Sequence, residues 1–361
     1  MKKILTLCYV SLAAAFILPL FLRAAPEAEL STPLTLPALS PAEAVPIVTA
    51  AVGVTPEASA SVTEPVSPTA PPITAAARAE SPARLSVLIG DEAAELDTAD
   101  YLTGVVAAEM PAAFEPEALK AQAVAARTYA MYCAAQAKHG AAQVCTDSGC
   151  CQAYLGREAM RERWGAEYER YYEKIRAAVE ATAGEYLEYE GAPVLAVFHS
   201  SSAGRTEDSG AVWGGARPYL VSVDSPESAD TVPGYVSSVE LSALDFRDTL
   251  LAMRPQADFS GGAASWIGEC RRDESGRVES LALGGAEFSG TELRAVFKLR
   301  STAFTLEYTG DAFLFTVTGY GHGVGMSQYG ANLMAQQGYD YAQILAHYYP
   351  GAVLVSAGAR R

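Results

Sequence analysis

Pro111 and Pro116 interrupt a stretch that otherwise favours helix from Thr98 to about Ala137, and they dictate how it is divided. A residue before proline is pushed out of the α region, so the helix that Asp97 caps stops at about Glu109. Leu102, Val105 and Val106 give that helix an apolar stripe. Pro116 suits the first helical position of a second helix, Glu117 suits its dipole, and strong helix formers run on to about Ala137. Glu109 is therefore left at a helix end, before a short apolar turn.

A carboxylate in a last helical turn faces unpaired carbonyls, and Val106, Ala107, Ala108 and Met110 add desolvation where the site is covered. Both effects raise its pKa, which is what a general acid needs to hold a proton near neutral pH. A solvated Glu at a helix end is the commoner outcome of this local pattern. On the second helix, Lys120, Val124, Arg127 and Met131 share a stripe that aims two cations at one groove. The planar fork of Arg127 suits a carboxylate or an acetamido carbonyl, and equally a pairing on its own helix.

His139, Cys145 and Cys151 follow at equal intervals of six, with Cys150 beside the last. One imidazole and two thiolates suit zinc, with a position left for water or a fourth group, while oxidation of the cysteines to disulfides is the main competing reading.

The chain begins with Lys2 and Lys3 and then has no charge from Ile4 to Leu22, which predicts a signal-anchor helix over residues 1–23 with its basic flank inside. Residues 24–83 are rich in Ala, Pro, Thr, Ser and Glu and poor in aromatic side chains; they read as a disordered, semi-rigid tether. Residues 84–361 are long enough for a sizeable core, as one domain or two lobes of α+β class with mixed helices and antiparallel strands. Expected elements are a strand at Arg84 to Gly90, one helix from Arg157 to Thr182, and a hairpin turning at Glu190-Gly191. A helix from Ser242 to Met253, strands at Val278 to Leu283 and Phe304 to Tyr308, and a capped helix after Phe288 complete the set. Trp164, Tyr168, Tyr171, Tyr172 and Ile175 form an aromatic stripe that reads as core.

The hairpin delivers His199, Ser200, Ser201 and Ser202, without the strand-G-x-S-x-G-helix elbow of a serine hydrolase. Small hydroxyls there line a carbohydrate cleft more readily than they build a triad, with Glu207 a possible second carboxylate and Trp213 and Tyr219 possible stacking platforms. Gly319, Gly321, Gly323, Gly325 and Gly330 surround His322, Ser327, Gln328 and Tyr329 without dinucleotide-binding order. His347 reads as structural. A net charge of -16, from 42 acidic and 26 basic residues, argues against nucleic acid as a partner.

Three segments carry a resemblance: VVAAEMPAAFEPEALKAQAVAARTYA, VFHSSSAGRTEDSGAVWGGARPYLVSVDSPES and GYGHGVGMSQYGANLMAQQGYDYAQILAHYYPGA. In sequence and order they resemble the stage II sporulation protein D family, membrane-attached lytic transglycosylases that share a module with amidase enhancers. The resemblance implies two lobes around a glycan groove, with Glu109 as catalytic acid and Arg127 in the groove. It further implies that His322, Ser327, Gln328 and Tyr329 lie against the acid, and that Ser200 and Ser201 contact sugar. It implies a zinc ion on His139, Cys145 and Cys151, structural instead of catalytic. The implied substrate is peptidoglycan glycan, stripped of stem peptides by an amidase of the stage II sporulation protein P type. The implied location is the cell membrane, with the catalytic part outside the cytoplasm facing the septal wall. A non-catalytic enhancer of an amidase, a zinc hydrolase and a wall adhesin are the competing readings.

Overall fold

The structure is a computed structural model that describes residues 83–356. The expected anchor at residues 1–23 and the tether up to residue 82 lie outside the described residues. Among the described residues, no helix is long and apolar enough to cross a membrane.

Strands β1 (Arg84–Ile89) and β2 (Glu92–Asp97) form an antiparallel hairpin and lead directly into helix α1 (Thr98–Glu109). Asp97 caps α1 as expected, its carboxylate accepting from the Ala99 N–H at 2.8 Å. Met110 is extended at φ -118° and ψ 140°, as its proline neighbour demands, so α1 ends on Glu109. Helix α2 (Pro116–Ala135) then runs through the middle of the first core. Its buried face is largely alanine, at positions 118, 121, 123, 125, 126 and 130. Small side chains let α1, the hairpin strand Glu185–Tyr189 and helices Gln328–Gln336 and Tyr341–Tyr348 all approach its backbone.

The single helix expected from Arg157 to Thr182 is broken. Gly165, at φ +52°, ends α3 (Arg157–Trp164), and after a short 3₁₀ turn the chain resumes as α4 (Tyr168–Ala181). Tyr168 and Ile175 are buried in the first core, and Trp164, before the break, packs against it partly buried. The Glu190-Gly191 turn is present, both residues having positive φ, but its second strand stops at Pro193. Phe198–His199 instead pairs with Met326–Ser327, in parallel, and β3 (Val144–Cys145) pairs in parallel with β1. These two short ladders qualify an otherwise antiparallel α+β fold.

Two hydrophobic cores are present among the described residues. The buried residues of the first fall within 85–220 and 324–349; those of the second lie between Phe246 and Val317, built on Phe246, Trp266, Phe288, Phe313 and Phe315. In the second, strand Ala312–Thr318 lies between Phe304–Tyr308 and Val236–Ser242, all antiparallel. Ser242 caps helix Ala243–Met253, and Ser289 and Glu292 form a capping box on helix Gly290–Val296.

Candidate active site

The end of α1 opens into a groove of about 720 Å³. Its walls are the turn after α1, Arg163 and Trp164 of α3, Tyr171 of α4, the Phe198–Ser200 segment, Tyr320–Gly321, and Gln328 with Tyr329. Glu109 is the one carboxylate on these walls among the described residues. Burial raises its pKa above the ordinary value, opposed by the Ala153 N–H, which donates to Oε1 at 3.0 Å. Burial thus favours the protonated form of a carboxyl group that stays partly exposed on the groove wall.

Ala153 belongs to the loop that also carries the thiols. The Nε2 of His139 lies 3.3 Å from the Cys151 sulfur and 3.6 Å from the Cys150 sulfur. One ligand atom from each of His139, Cys145, Cys150 and Cys151 falls within 4.8 Å of the others. The described cysteines are free thiols in this structure. Cys150 joins the three residues expected from sequence, giving three sulfurs and one nitrogen, a donor set that suits a closed tetrahedral zinc site. Two residues beyond Cys151, Ala153 reaches Glu109, and the Leu155 N–H donates to the Gly104 carbonyl of α1 at 3.0 Å. Tyr154 lies so close to Gly104 that a Cβ there would stand 2.2 Å from its ring. The thiol loop is therefore clamped against the helix that carries the acid.

The remaining expected residues divide. Ser200, Gln328 and Tyr329 line the groove with Glu109. Arg127 does not: it is buried in the first core and donates to the carbonyls of Thr182, Glu185 and Val179, joining α2 to the end of α4 and the strand that follows. Lys120 likewise pairs with Glu117 of its own helix. Ser201 and Ser327 are buried; the Ser327 hydroxyl donates to Glu227, which also accepts from the Ser202 N–H and hydroxyl. His322 sits behind His199, its Nδ1 accepting from the Val324 N–H, and burial holds its pKa near 4. Trp213 packs against His322 and Tyr219 against Tyr189, neither of them on the groove wall. Glu207 is sealed against Arg277 and is no second groove carboxylate.

The glycine-rich segment earns its composition at Gly321 and Gly325. Both have positive φ, and a Cβ would meet the His199 side chain at 2.7 Å or the Val197 carbonyl at 2.1 Å. Close approach here lays Tyr320 and Gly321 against His199 and so shapes the groove opposite Glu109. Sequence reasoning missed Arg163, which donates from Nη1 to the Ala107 carbonyl in the last turn of α1 at 3.1 Å. It assigned Trp164 and Tyr171 to the core; they do pack against the first core, and they also meet edge to face on the groove wall, which the sequence reading did not give them. Gly165, a helix breaker inside the stripe, was the available signal.

Residues 91–189 match a family model described as Stage II sporulation protein. The chain is 37% identical over 261 residues to Stage II sporulation protein D of Bacillus amyloliquefaciens, which covers 72% of this chain and 74% of that one. Identity is also 37% to the protein of the same name from Bacillus subtilis (strain 168), over 266 residues, with 72% and 75% covered. A protein named Amidase enhancer from Bacillus subtilis (strain 168) is 30% identical over 305 residues, which are 71% of this chain and 40% of that one. With its motifs, groove and these relatives in agreement, the chain belongs to the stage II sporulation protein D family.

Proposed function

We propose that this protein is a lytic transglycosylase that cleaves the bond between N-acetylmuramic acid and N-acetylglucosamine in peptidoglycan, acting in septal wall degradation during sporulation. The observation that carries this reading is a lone carboxylate, its pKa raised by burial, in an open groove walled by aromatic rings. Hydrolysis of a glycoside ordinarily uses two carboxylates, an acid and a base or nucleophile. One suffices when the substrate supplies its own nucleophile. Glu109 gives its proton to the glycosidic oxygen as the bond from muramic C1 to that oxygen breaks. Its carboxylate then takes the proton of the muramic C6 hydroxyl as O6 bonds to C1. The products are a 1,6-anhydro end and a free hydroxyl, with Glu109 protonated again and no water consumed.

Tyr329, Ser200 and Gln328 stand where they can meet hydroxyl and acetamido groups, and Trp164, Tyr171 and Tyr320 offer ring faces and edges to sugar. His139, Cys145, Cys150 and Cys151 would hold a zinc ion, which supplies a structural crosslink when bound. That crosslink braces the loop whose Ala153 N–H tunes Glu109. The proposal includes strands stripped of stem peptides as substrate, an amidase of the stage II sporulation protein P type as partner, and an N-terminal membrane anchor with the catalytic part outside the cytoplasm.

The similarity to an amidase enhancer favours a second reading, a non-catalytic peptidoglycan-binding activator. Mass spectrometry of stripped and peptide-bearing strands, incubated with the full chain or its Glu109→Gln variant, separates the two. Anhydromuramic ends made by the parent and lost in the variant support the transglycosylase. Binding without cleavage by either protein supports the enhancer, and reducing muramic ends would make water the nucleophile.

A further inference from the structure

Tyr320 walls two depressions at once. One is the Glu109 groove; the other is a second pocket of about 460 Å³ against helix Gly290–Val296 and the residues that follow it. Three cations, Arg294, Lys298 and Arg300, line this second pocket, and no carboxylate does. That is unusual for a chain of net charge -16, because a mixed surface would scatter acidic partners among them. None of the three makes an ion pair among the described residues.

The two arginines are held by backbone and ring contacts instead. Arg294 Nε donates to the Arg300 carbonyl at 3.3 Å, Arg300 Nη1 donates to the Gly234 carbonyl at 3.2 Å, and the Arg300 guanidinium lies 5.4 Å from the Tyr320 ring centroid. Lys298 has φ +54°, a left-handed conformation after a helix end that glycine or asparagine adopts at lower cost. Cations gathered without counter-charges repel one another, a cost that an anionic ligand would relieve. The field of Arg294 is also felt toward the groove. After burial it is the next influence lowering His322, which sits beside His199 of the groove wall.

We propose that Arg294, Lys298 and Arg300 form an anion subsite that continues the groove past Tyr320 and binds a carboxylate carried by the glycan strand. The proposal rests on the glycan reading above and gives the segment that carries the second core a part in choosing substrate. Two sources offer the same chemistry: the lactyl carboxylate of a stripped muramic acid, and the carboxylates of a retained stem peptide.

The test uses the full chain carrying Glu109→Gln, so that strands survive the measurement, with and without Lys298→Gln and Arg300→Gln; both positions are exposed. Binding is measured for stripped strands, peptide-bearing strands and uncharged N-acetylglucosamine oligomers at several salt concentrations. Removing both charges is expected to weaken stripped strands about tenfold and to flatten their salt dependence, leaving uncharged oligomers within about twofold. The same loss seen only for peptide-bearing strands assigns the subsite to stem carboxylates. No loss for either charged strand, or an equal loss for the uncharged oligomers, overturns the proposal. Arg294→Gln, checked by its melting curve, repeats the test from the pocket's inner wall. A parent protein that makes no anhydro ends yet binds charged strands selectively would sink the transglycosylase reading and leave the subsite standing.

Discussion

Glu109 and Glu207 are both carboxylates whose proton affinity burial raises, yet only one of them can meet a substrate. Glu207 is pushed up to about 7 by burial, against the pull of the Ser275 hydroxyl, the Asp208 N–H and Arg277. Every one of those partners also closes it off, and it is 3% exposed. Glu109 has a single donor, Ala153, and an open edge on the groove. A raised pKa therefore marks a candidate acid, and access decides whether it is one.

The largest effect should separate the two residues directly. Glu109→Gln is expected to lower the rate of anhydro-end formation by roughly 10²- to 10⁴-fold, whereas Glu207→Gln, assayed well below its melting temperature, loses less than about tenfold. Equal losses would collapse the comparison. Next comes stability: Glu207→Leu leaves Arg277, which is 1% exposed, without its counter-charge, and should cost ~3–5 kcal/mol, or a fall of about 10 °C in Tm. The double variant with Arg277→Leu should recover most of that loss, and a double variant as unstable as the single would show that the pair acts through packing.

Chelation should lower Tm by several degrees while leaving the secondary structure around the second core in place, since the cysteine ligands belong to or pack against the first core. Cys150→Ser should fall as far as Cys145→Ser if the site is closed by four protein ligands. Loss of activity without a change in Tm would instead favour catalytic zinc.

The smallest expected effect is the most diagnostic for Glu109. The native state holds this proton to higher pH than the unfolded chain, so the group's contribution to stability is full below about 4.5. It is then lost as pH rises through the raised native value. Glu109→Gln should accordingly match the parent near pH 4 and melt roughly 1–3 °C higher at pH 7. A variant that melts lower at pH 7 would mean the carboxylate is stabilised as an anion.

Much of this site could be read from the chain because its signals are local. Asp97, Pro111 and Pro116 fix the ends of α1 and α2 through backbone geometry alone, and they place Glu109 without any tertiary knowledge. His139, Cys145 and Cys151 announce a donor set by residue type. Arg127 misled because periodicity gives the face of a helix but not what covers that face; here it is the carbonyls ending α4. Glu227 and Ala153 left no local mark at all. Glu227 gathers Ser202 and Ser327, 125 positions apart in the chain, and Ala153 acts through a main-chain N–H that any residue except proline would supply. Trp164 and Tyr171 were legible only to a reading that let Gly165 break the helix.

The second core enters and leaves the molecule at one place. Val236 and Thr318 face each other as antiparallel partners, and the Gly319 N–H already donates to the Tyr235 carbonyl at 2.8 Å. A segment whose two ends meet in this way can be lengthened, shortened or exchanged in a single genetic event while the chain on either side keeps its path. Residues 236–318 can thus change as a unit so long as Arg277 and Ser275 stay on Glu207 and Arg300 stays against Gly234 and Tyr320, and the rest of the surface they bring to the groove is the part a lineage can most readily retune.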